Sequence, residues 1–303
     1  MIFLRQPCLS ILIYHRVLAQ PDPMFPDQLD SRQFERQMAL LKRCCNVMPL
    51  GAAAAALRRH ALPPRAVCIT FDDGYADNAE VALPILLRHG LSACFFIASG
   101  YLDGGCMWND TVIEHVRRAA GPRLDLSMLG LGVLPIADLR QKAAAIAILL
   151  NHLKYLPFAE RAAKVALLQP QSPATPMMCT GQVRMLHRAG MEIGAHTSSH
   201  PILARQPARE AQADIAAGKY ALERIIDAPV PAFAYPNGKP GLDYNARHVQ
   251  MAKTLGFELA VSTMPGAARY DSDLFQLPRF TPWQRNRLRF WLSLQRNKFI
   301  RPA

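Results

Sequence analysis

The chain has 303 residues, half of them hydrophobic, with 35 Lys and Arg against 23 Asp and Glu and a formal net charge of +12. That size suits one large α/β domain, or a domain with an insertion, able to build a full core. Seven cysteines, an odd number with no Cys-x-x-Cys pair, argue against a disulfide framework and for idle thiols in a reducing compartment, and no apolar run reaches the ~18–20 residues of a spanning helix.

Strand-like and helix-like runs alternate along the chain. Met1 to Tyr14 carries one arginine and only a short apolar run, Leu9 to Ile13, so it reads as a first strand rather than a secretory signal. A cytoplasmic protein, soluble or peripheral, is the expectation. Ser31 to Arg43 predicts a helix, with Ser31 as cap and Phe34, Met38 and Leu41 on one face. Ala52 to Ala56 is helix. Ala66 to Phe71 is a buried strand, Asn78 to His89 a helix closed by Gly90, and Ser92 to Ala98 a strand. After a long interruption come a helix capped by Thr180 and ending at Gly190, and a strand from Met191 to Ala195. A helix from Ala208 to Ile226, a strand from Ala232 to Tyr235, a helix from Tyr244 to Leu255 and a strand from Phe257 to Ser262 follow. Such alternation predicts a parallel sheet with crossover helices, open or closed into a barrel.

The stretch from about Gly104 to Pro176 breaks the rhythm. It has helical patches, Val112 to Ala119 and Leu139 to Leu153, and no clear strand, and reads as a helical insertion near the strand ends. Trp108 at its entry either offers a stacking face to a sugar ring or anchors the insertion. At the other end, Arg285, Arg287, Arg289, Arg296, Lys298 and Arg301 interleave with Phe290, Trp291, Leu292, Leu294, Phe299 and Ile300. This basic tail, about 284–303, is either a basic amphipathic helix on an anionic membrane face or a terminal helix packed on the barrel. The excess charge implies an anionic partner. Nucleic acid is not expected, because no basic-aromatic nucleic-acid module is present.

Two segments carry the chemistry. Ile69-Thr70-Phe71-Asp72-Asp73-Gly74 ends a buried strand in two adjacent carboxylates. Met191-Glu-Ile-Gly-Ala195 runs into His196-Thr-Ser-Ser-His200. Asp-Gly after an apolar run is also an ordinary turn signal. Together, however, two imidazoles and one carboxylate at strand ends form the donor set of a divalent metal site with open positions. The carboxylate left over is then free to act as a base, which is the minimum equipment for metal-assisted hydrolysis. In α/β folds the carboxyl ends of the strands are where such sites assemble.

These residues resemble the polysaccharide deacetylases of carbohydrate esterase family four. Thr70-Phe71-Asp72-Asp73-Gly74 is similar to the family's first motif and His196 to His200 to its second. Tyr14-His15-Arg16-Val17, Gly190 to Ala195 and Phe233-Ala-Tyr-Pro-Asn-Gly238 resemble a branch that includes enzymes of exopolysaccharide pathways. The resemblance covers most of the chain. It implies a single catalytic domain over 1–303, built as a distorted (β/α) barrel with fewer than eight strands. It also implies removal of N-acetyl or O-acetyl groups from a sugar or polysaccharide. A metal, usually zinc, would be held by Asp73, His196 and His200, with Asp72 as general base. Adjacent residues at a strand end point different ways, so Asp72 does not easily ligate the same ion. It can take a proton from the attacking water instead. The oxyanion donor would be the backbone N–H of Asn237, with Tyr235 and Trp108 as candidate substrate contacts.

Three departures stand out. Ala234 occupies the place of the arginine that holds the base in many relatives, and Arg279 in Leu277-Pro278-Arg279 is the candidate replacement. Asn237 stands where tyrosine is common. A late Leu-x-His motif that supplies a general acid is missing, since no histidine follows His248. His15, at the end of the first strand, is the replacement candidate, because histidine is the side chain that titrates near neutrality. Other classes fit less well. Non-haem iron oxygenases share the donor set but are commonly all-β. A zinc peptidase would need glutamate where Thr197 stands. A non-catalytic carbohydrate-binding relative would have little use for both carboxylates and both histidines. Within the enzyme reading, the alternative is a deformylase or deacetylase of a lipid-linked sugar at the cytoplasmic membrane face.

Overall fold

A computed structural model describes residues 7–168 and 176–300. The first half of the described chain forms β1 (Leu9–Tyr14), α1 (Ser31–Cys44), β2 (Asn46–Val47), α2 (Leu50–Arg58), β3 (Ala66–Phe71), α3 (Leu83–His89), β4 (Cys94–Ile97) and α4 (Trp108–Arg118). A small hairpin, β5 (Arg123–Asp125) and β6 (Val133–Pro135), precedes α5 (Leu139–Lys154) and α6 (Phe158–Ala166). The rest comprises α7 (Thr180–Arg188), β7 (Glu192–Ala195), α8 (Ala208–Ile226), β8 (Ala232–Ala234), α9 (Ala246–Thr254), β9 (Leu259–Val261) and α10 (Arg287–Asn297).

The main sheet is parallel, in the order β1-β3-β4-β7-β8-β9, with β2 beside the start of β3. β1 pairs with β3 along its whole length, Leu9 opposite Ala66 and Tyr14 opposite Phe71. Residues 274–280 then join the two edges. The Leu277 N–H donates to the Ala260 carbonyl (3.0 Å), and the Phe280 N–H to the Ile11 carbonyl (2.7 Å). The sheet therefore curls into a distorted barrel of fewer than eight strands.

Strand parity sorts the side chains. Ile11, Cys68, Cys94, Phe96, Ala234 and Val261 share one apolar cluster, while Tyr14, Ile69, Phe71, Phe95 and Phe233 share another with the surrounding helices. Phe71 stacks on Phe95 at 4.7 Å between centroids and on Tyr14 at 5.4 Å. Each large side chain so buried contributes about 1.5–3 kcal/mol. Both faces of β1 and β3 are covered, as a parallel sheet requires.

Several local readings are corrected. Asp30, not Ser31, caps α1, accepting from the Gln33 N–H at 2.9 Å. Cys179, not Thr180, is the capping residue of α7, paired with Gln182. The run from Asn78 begins with a π-helical turn, Asn78–Ala82, before α3. The stretch after Gly104 is not purely helical, because β5 and β6 pair antiparallel within it. Those strands are three residues long and half exposed, too short to show a period. The segment has its own apolar cluster, including Val112, Val116, Leu126, Ile136, Leu149 and Leu153. All seven cysteines are free thiols. No helix among the described residues is long and apolar enough to cross a membrane. Helix α10 buries Phe290, Leu294 and Asn297 against the core. Arg301, the last of the tail cations, lies outside the described residues.

Candidate active site

The catalytic candidates gather at the carboxyl ends of β1, β3, β7 and β8. Asp72 follows β3 and continues the alternate row of Cys68 and Thr70. Arg279 comes to it from the segment that closes the barrel. Its Nη1 donates to Asp72 Oδ1 at 2.7 Å and its Nη2 to Oδ2 at 2.6 Å, a bidentate pair buried on both sides. The guanidinium is fixed from behind, with Nε on the Ser262 carbonyl at 2.8 Å and Nη1 also on Thr70 Oγ1 at 3.2 Å. Burial pushes the Asp72 carboxyl up, but the charge of Arg279, then of His196, outweighs it and holds the group below its ordinary value.

Asp73 turns the other way. Its φ of 78° lies in the left-handed region, as do those of Thr197 (63°), His200 (51°) and Asn237 (59°). Backbone in that region is costly for residues other than glycine, and its concentration here marks a functional corner. Asp73 Oδ1 lies 3.5 Å from His196 Nε2 and 3.4 Å from His200 Nε2. The three ligand atoms are all within 4.8 Å of one another. Tetrahedral bonds of ~2.0–2.1 Å place neighbouring donors roughly 3.3 Å apart, close to the two edges from Asp73 to the histidines. Two further observations agree. Asp73 Oδ1 is buried with no hydrogen-bond partner. His196 Nδ1 bonds to the Ala234 carbonyl at 2.8 Å, so with that proton in place the Nε2 lone pair faces Asp73. Burial also pulls the His200 imidazole down to about 4, against the attraction of Asp73, leaving it neutral as a ligand must be.

The histidine loop is clamped by α8. Asp214 Oδ1 accepts from the Ser198 and Ser199 N–H groups at 3.1 and 3.0 Å, and Oδ2 from Ser199 Oγ at 2.8 Å. Gly218 lies against the loop, where an added Cβ would sit 2.4 Å from the Thr197 carbonyl carbon. Sequence reasoning missed both residues, since they act on backbone far away in the chain.

His15 is exposed and lines a cavity of about 410 Å³ together with Asp72, Asp73, His196, His200 and Asn237. Its backbone is held by residues after β3. Asn78 donates to the His15 carbonyl at 2.8 Å, and Asp77 accepts from the Val17 N–H and from Arg16. Trp108 lines the same cavity. Asn237 faces it from the β8 end, its carbonyl accepting from Thr263 Oγ1 at 2.7 Å. Tyr235 does not reach it. Its side chain is fully buried, stacked on Tyr244 at 3.8 Å, with the hydroxyl on the Phe275 carbonyl.

A deep carboxylate–arginine pair beside an Asp-His-His triangle, at the strand ends of a parallel barrel, is the arrangement of a hydrolase site. The chain belongs to the polysaccharide deacetylase family, which it matches over residues 59–128 and 136–260. It is 21% identical over 273 residues to YxkH of Bacillus subtilis (strain 168), covering 89% of this chain and 70% of that one. Among solved structures it is similar to the Streptococcus pyogenes deacetylase PplD in complex with acetate. The TM-score there is 0.62 at 19% identity, covering 91% of this chain and 93% of PplD. IcaB from Ammonifex degensii gives a TM-score of 0.61 at 20% identity, over 95% of this chain and 97% of IcaB. The BpsB deacetylase domain from Bordetella bronchiseptica gives 0.56 at 17%, over 91% and 96%. At these identities the structural likeness speaks for the fold.

Proposed function

We propose that this protein is a metal-dependent hydrolase that removes N-acetyl, or O-acetyl, groups from an acetylated amino-sugar oligomer or polymer. One observation carries the reading: a buried, arginine-held carboxylate stands 4.0 Å from a histidine of the Asp-His-His triangle and belongs to neither of its short contacts. Zinc is the ion we favour, from three N and O donors that leave one side open. When bound at Asp73, His196 and His200, it supplies a Lewis acid that polarises the acyl carbonyl and makes water a better nucleophile.

The chain's own residues do the rest. Asp72 takes the proton of the attacking water. Each carboxylate oxygen has two lone pairs, so the Arg279 pair leaves Asp72 with acceptor capacity toward the cavity. The Asn237 N–H donates to the oxygen that gains charge when the carbonyl becomes tetrahedral. His15 gives a proton to the departing amine nitrogen as the carbon–nitrogen bond breaks, releasing acetate and a free amino sugar. Acetate release from a panel of acetylated and formylated sugars, after chelation and after zinc is restored, tests the reading. Zinc-dependent acetate release supports it; full activity in the chelated protein would refute it.

The outer face of α10 favours a second element of this reading, a peripheral contact with anionic membrane. Leu288, Leu292 and Phe299 are 65, 52 and 58% exposed, with exposed Arg285, Arg289 and Arg296 along one side and Arg287 on the other. No Asp or Glu follows Asp273. An apolar strip flanked by cations is the pattern of an interfacial helix. Such a contact suits a lipid-linked sugar as substrate. Vesicles of anionic lipid should bind the protein less as salt rises, and should release Leu288→Asp/Leu292→Asp. Equal binding by that variant would leave α10 a packing helix only.

A further inference from the structure

Arg161 on α6 is 4% exposed and has no acidic partner among the described residues. Its hydrogen bond is to the Lys154 carbonyl, 3.3 Å from Nη1. Its guanidinium also lies over the faces of Trp108 and Phe158, at 5.0 and 5.6 Å. A guanidinium stays charged in proteins and carries five donors, and burying such a charge unpaired is expensive. Aromatic faces recover only part of that cost. The side chain borders a cavity of about 440 Å³, whose other walls include Tyr101, Trp108, Thr111 and Phe158 and, among the described residues, no carboxylate.

That cavity adjoins the catalytic one. Trp108 lines both, and the Tyr101 hydroxyl that borders it donates to the Ser199 carbonyl within the histidine loop, at 2.8 Å. Lys154, one turn before α6, lines the catalytic cavity itself. A third cavity, which shares His15, Asp73 and Asn109 with the catalytic one, has Asp22, Asp110 and Glu114 in its walls together with Arg16 and Arg117. Arg161 and Lys154 are the cations that α6 and the end of α5 bring to the two adjoining cavities that share Trp108.

We propose that Arg161 is a binding site for an anionic group, a carboxylate or a phosphate, on the substrate, one sugar or linkage away from the acyl group that is removed. The substrate class this names is an acidic acetylated saccharide. It rests on the hydrolase reading above. A planar guanidinium matches either oxyanion through two parallel hydrogen bonds, and Trp108 between the cavities offers a sugar ring an apolar face.

The test compares acetate release from an oligosaccharide alternating N-acetylglucosamine with glucuronate against a neutral N-acetylglucosamine oligomer of equal length. N-acetylglucosamine 1-phosphate against N-acetylglucosamine forms a second arm, which separates phosphate from carboxylate as the source. In at least one arm the acidic substrate should be favoured about tenfold or more in kcat/KM, through KM, and high salt should shrink the preference. Arg161→Met should bring the ratio close to one, and Arg161→Lys should keep part of it. A ratio near one in both arms for the unaltered protein, or a preference that survives Arg161→Met, overturns the proposal. Calorimetric binding of the same four compounds to the zinc-loaded protein gives a reading that needs no turnover. If no sugar is hydrolysed, the hydrolase reading fails by itself, and tighter binding of an acidic compound, lost in Arg161→Met, still upholds the site. Should Arg161→Met not fold, Arg161→Lys and Arg161→Gln carry the comparison.

Discussion

The two candidate proton-transfer groups are held in opposite ways. Asp72 is buried at the floor of the catalytic cavity, with both oxygens on one guanidinium that is itself tied to Ser262 and Thr70. His15 is exposed, and the structure grips its backbone and neighbours. A base that must stay ionised gains from a fixed, buried counter-charge. A group that must load and release a proton each turnover gains from contact with water. The pair therefore divides into a preorganised side and an adaptable side, and the variants that follow probe that division.

The largest effect should come from the metal triangle. His196→Ala or His200→Ala should lower zinc content from about one ion per chain toward none, read by elemental analysis, with hydrolysis falling to background. On the preorganised side, Asp72→Asn should keep the ion while kcat falls by about 10²–10⁴. Arg279→Met strands Asp72 as a buried charge, so it should destabilise the fold by about 3–5 kcal/mol in urea titrations and slow turnover. Asp72→Asn/Arg279→Met should recover much of that stability and none of the activity. On the adaptable side, His15→Ala should leave the melting temperature nearly unchanged. It should slow hydrolysis of an N-acetyl sugar by about 10²-fold, and that of an activated aryl acetate far less, because a phenolate leaves without a proton. An equal fall on both substrates would make His15 structural and remove the division.

The smallest effect concerns Asp110, beside the site. Burial pushes its carboxyl up from 3.8 to about 7, with the nearby Arg16 opposing. Between those values the folded chain holds a proton that the unfolded chain has released, so stability should fall as pH rises through that window. Asp110→Asn should flatten the decline of the urea midpoint from acidic to neutral pH. An unchanged slope would assign it to other groups.

What was legible in the sequence follows from distance along the chain. Asp72, Asp73, His196 and His200 each sit at or just after the end of a short apolar run. Strand parity says only that the two aspartates point different ways, and which is ligand and which is base came from the family resemblance. The main strands were visible as apolar runs between turns. Arg279 could be suspected only because Ala234 left a gap, for its partner lies 207 residues away. Asp214 and Gly218 carried no signal, since a carboxylate on backbone N–H groups and a glycine under a carbonyl look like any helix surface. The β5–β6 hairpin was hidden by its short, half-exposed strands, and the side chain of Tyr235 points into packing that neighbouring residues alone do not reveal.

The central claim is the split of roles between two adjacent carboxylates, and zinc content measured together with acetate release in Asp72→Asn and Asp73→Asn tests it most directly. Asp72→Asn should hold as much zinc as the unaltered protein and release almost no acetate, whereas Asp73→Asn should lose both. Loss of zinc from Asp72→Asn, or its full retention in Asp73→Asn, would contradict the account.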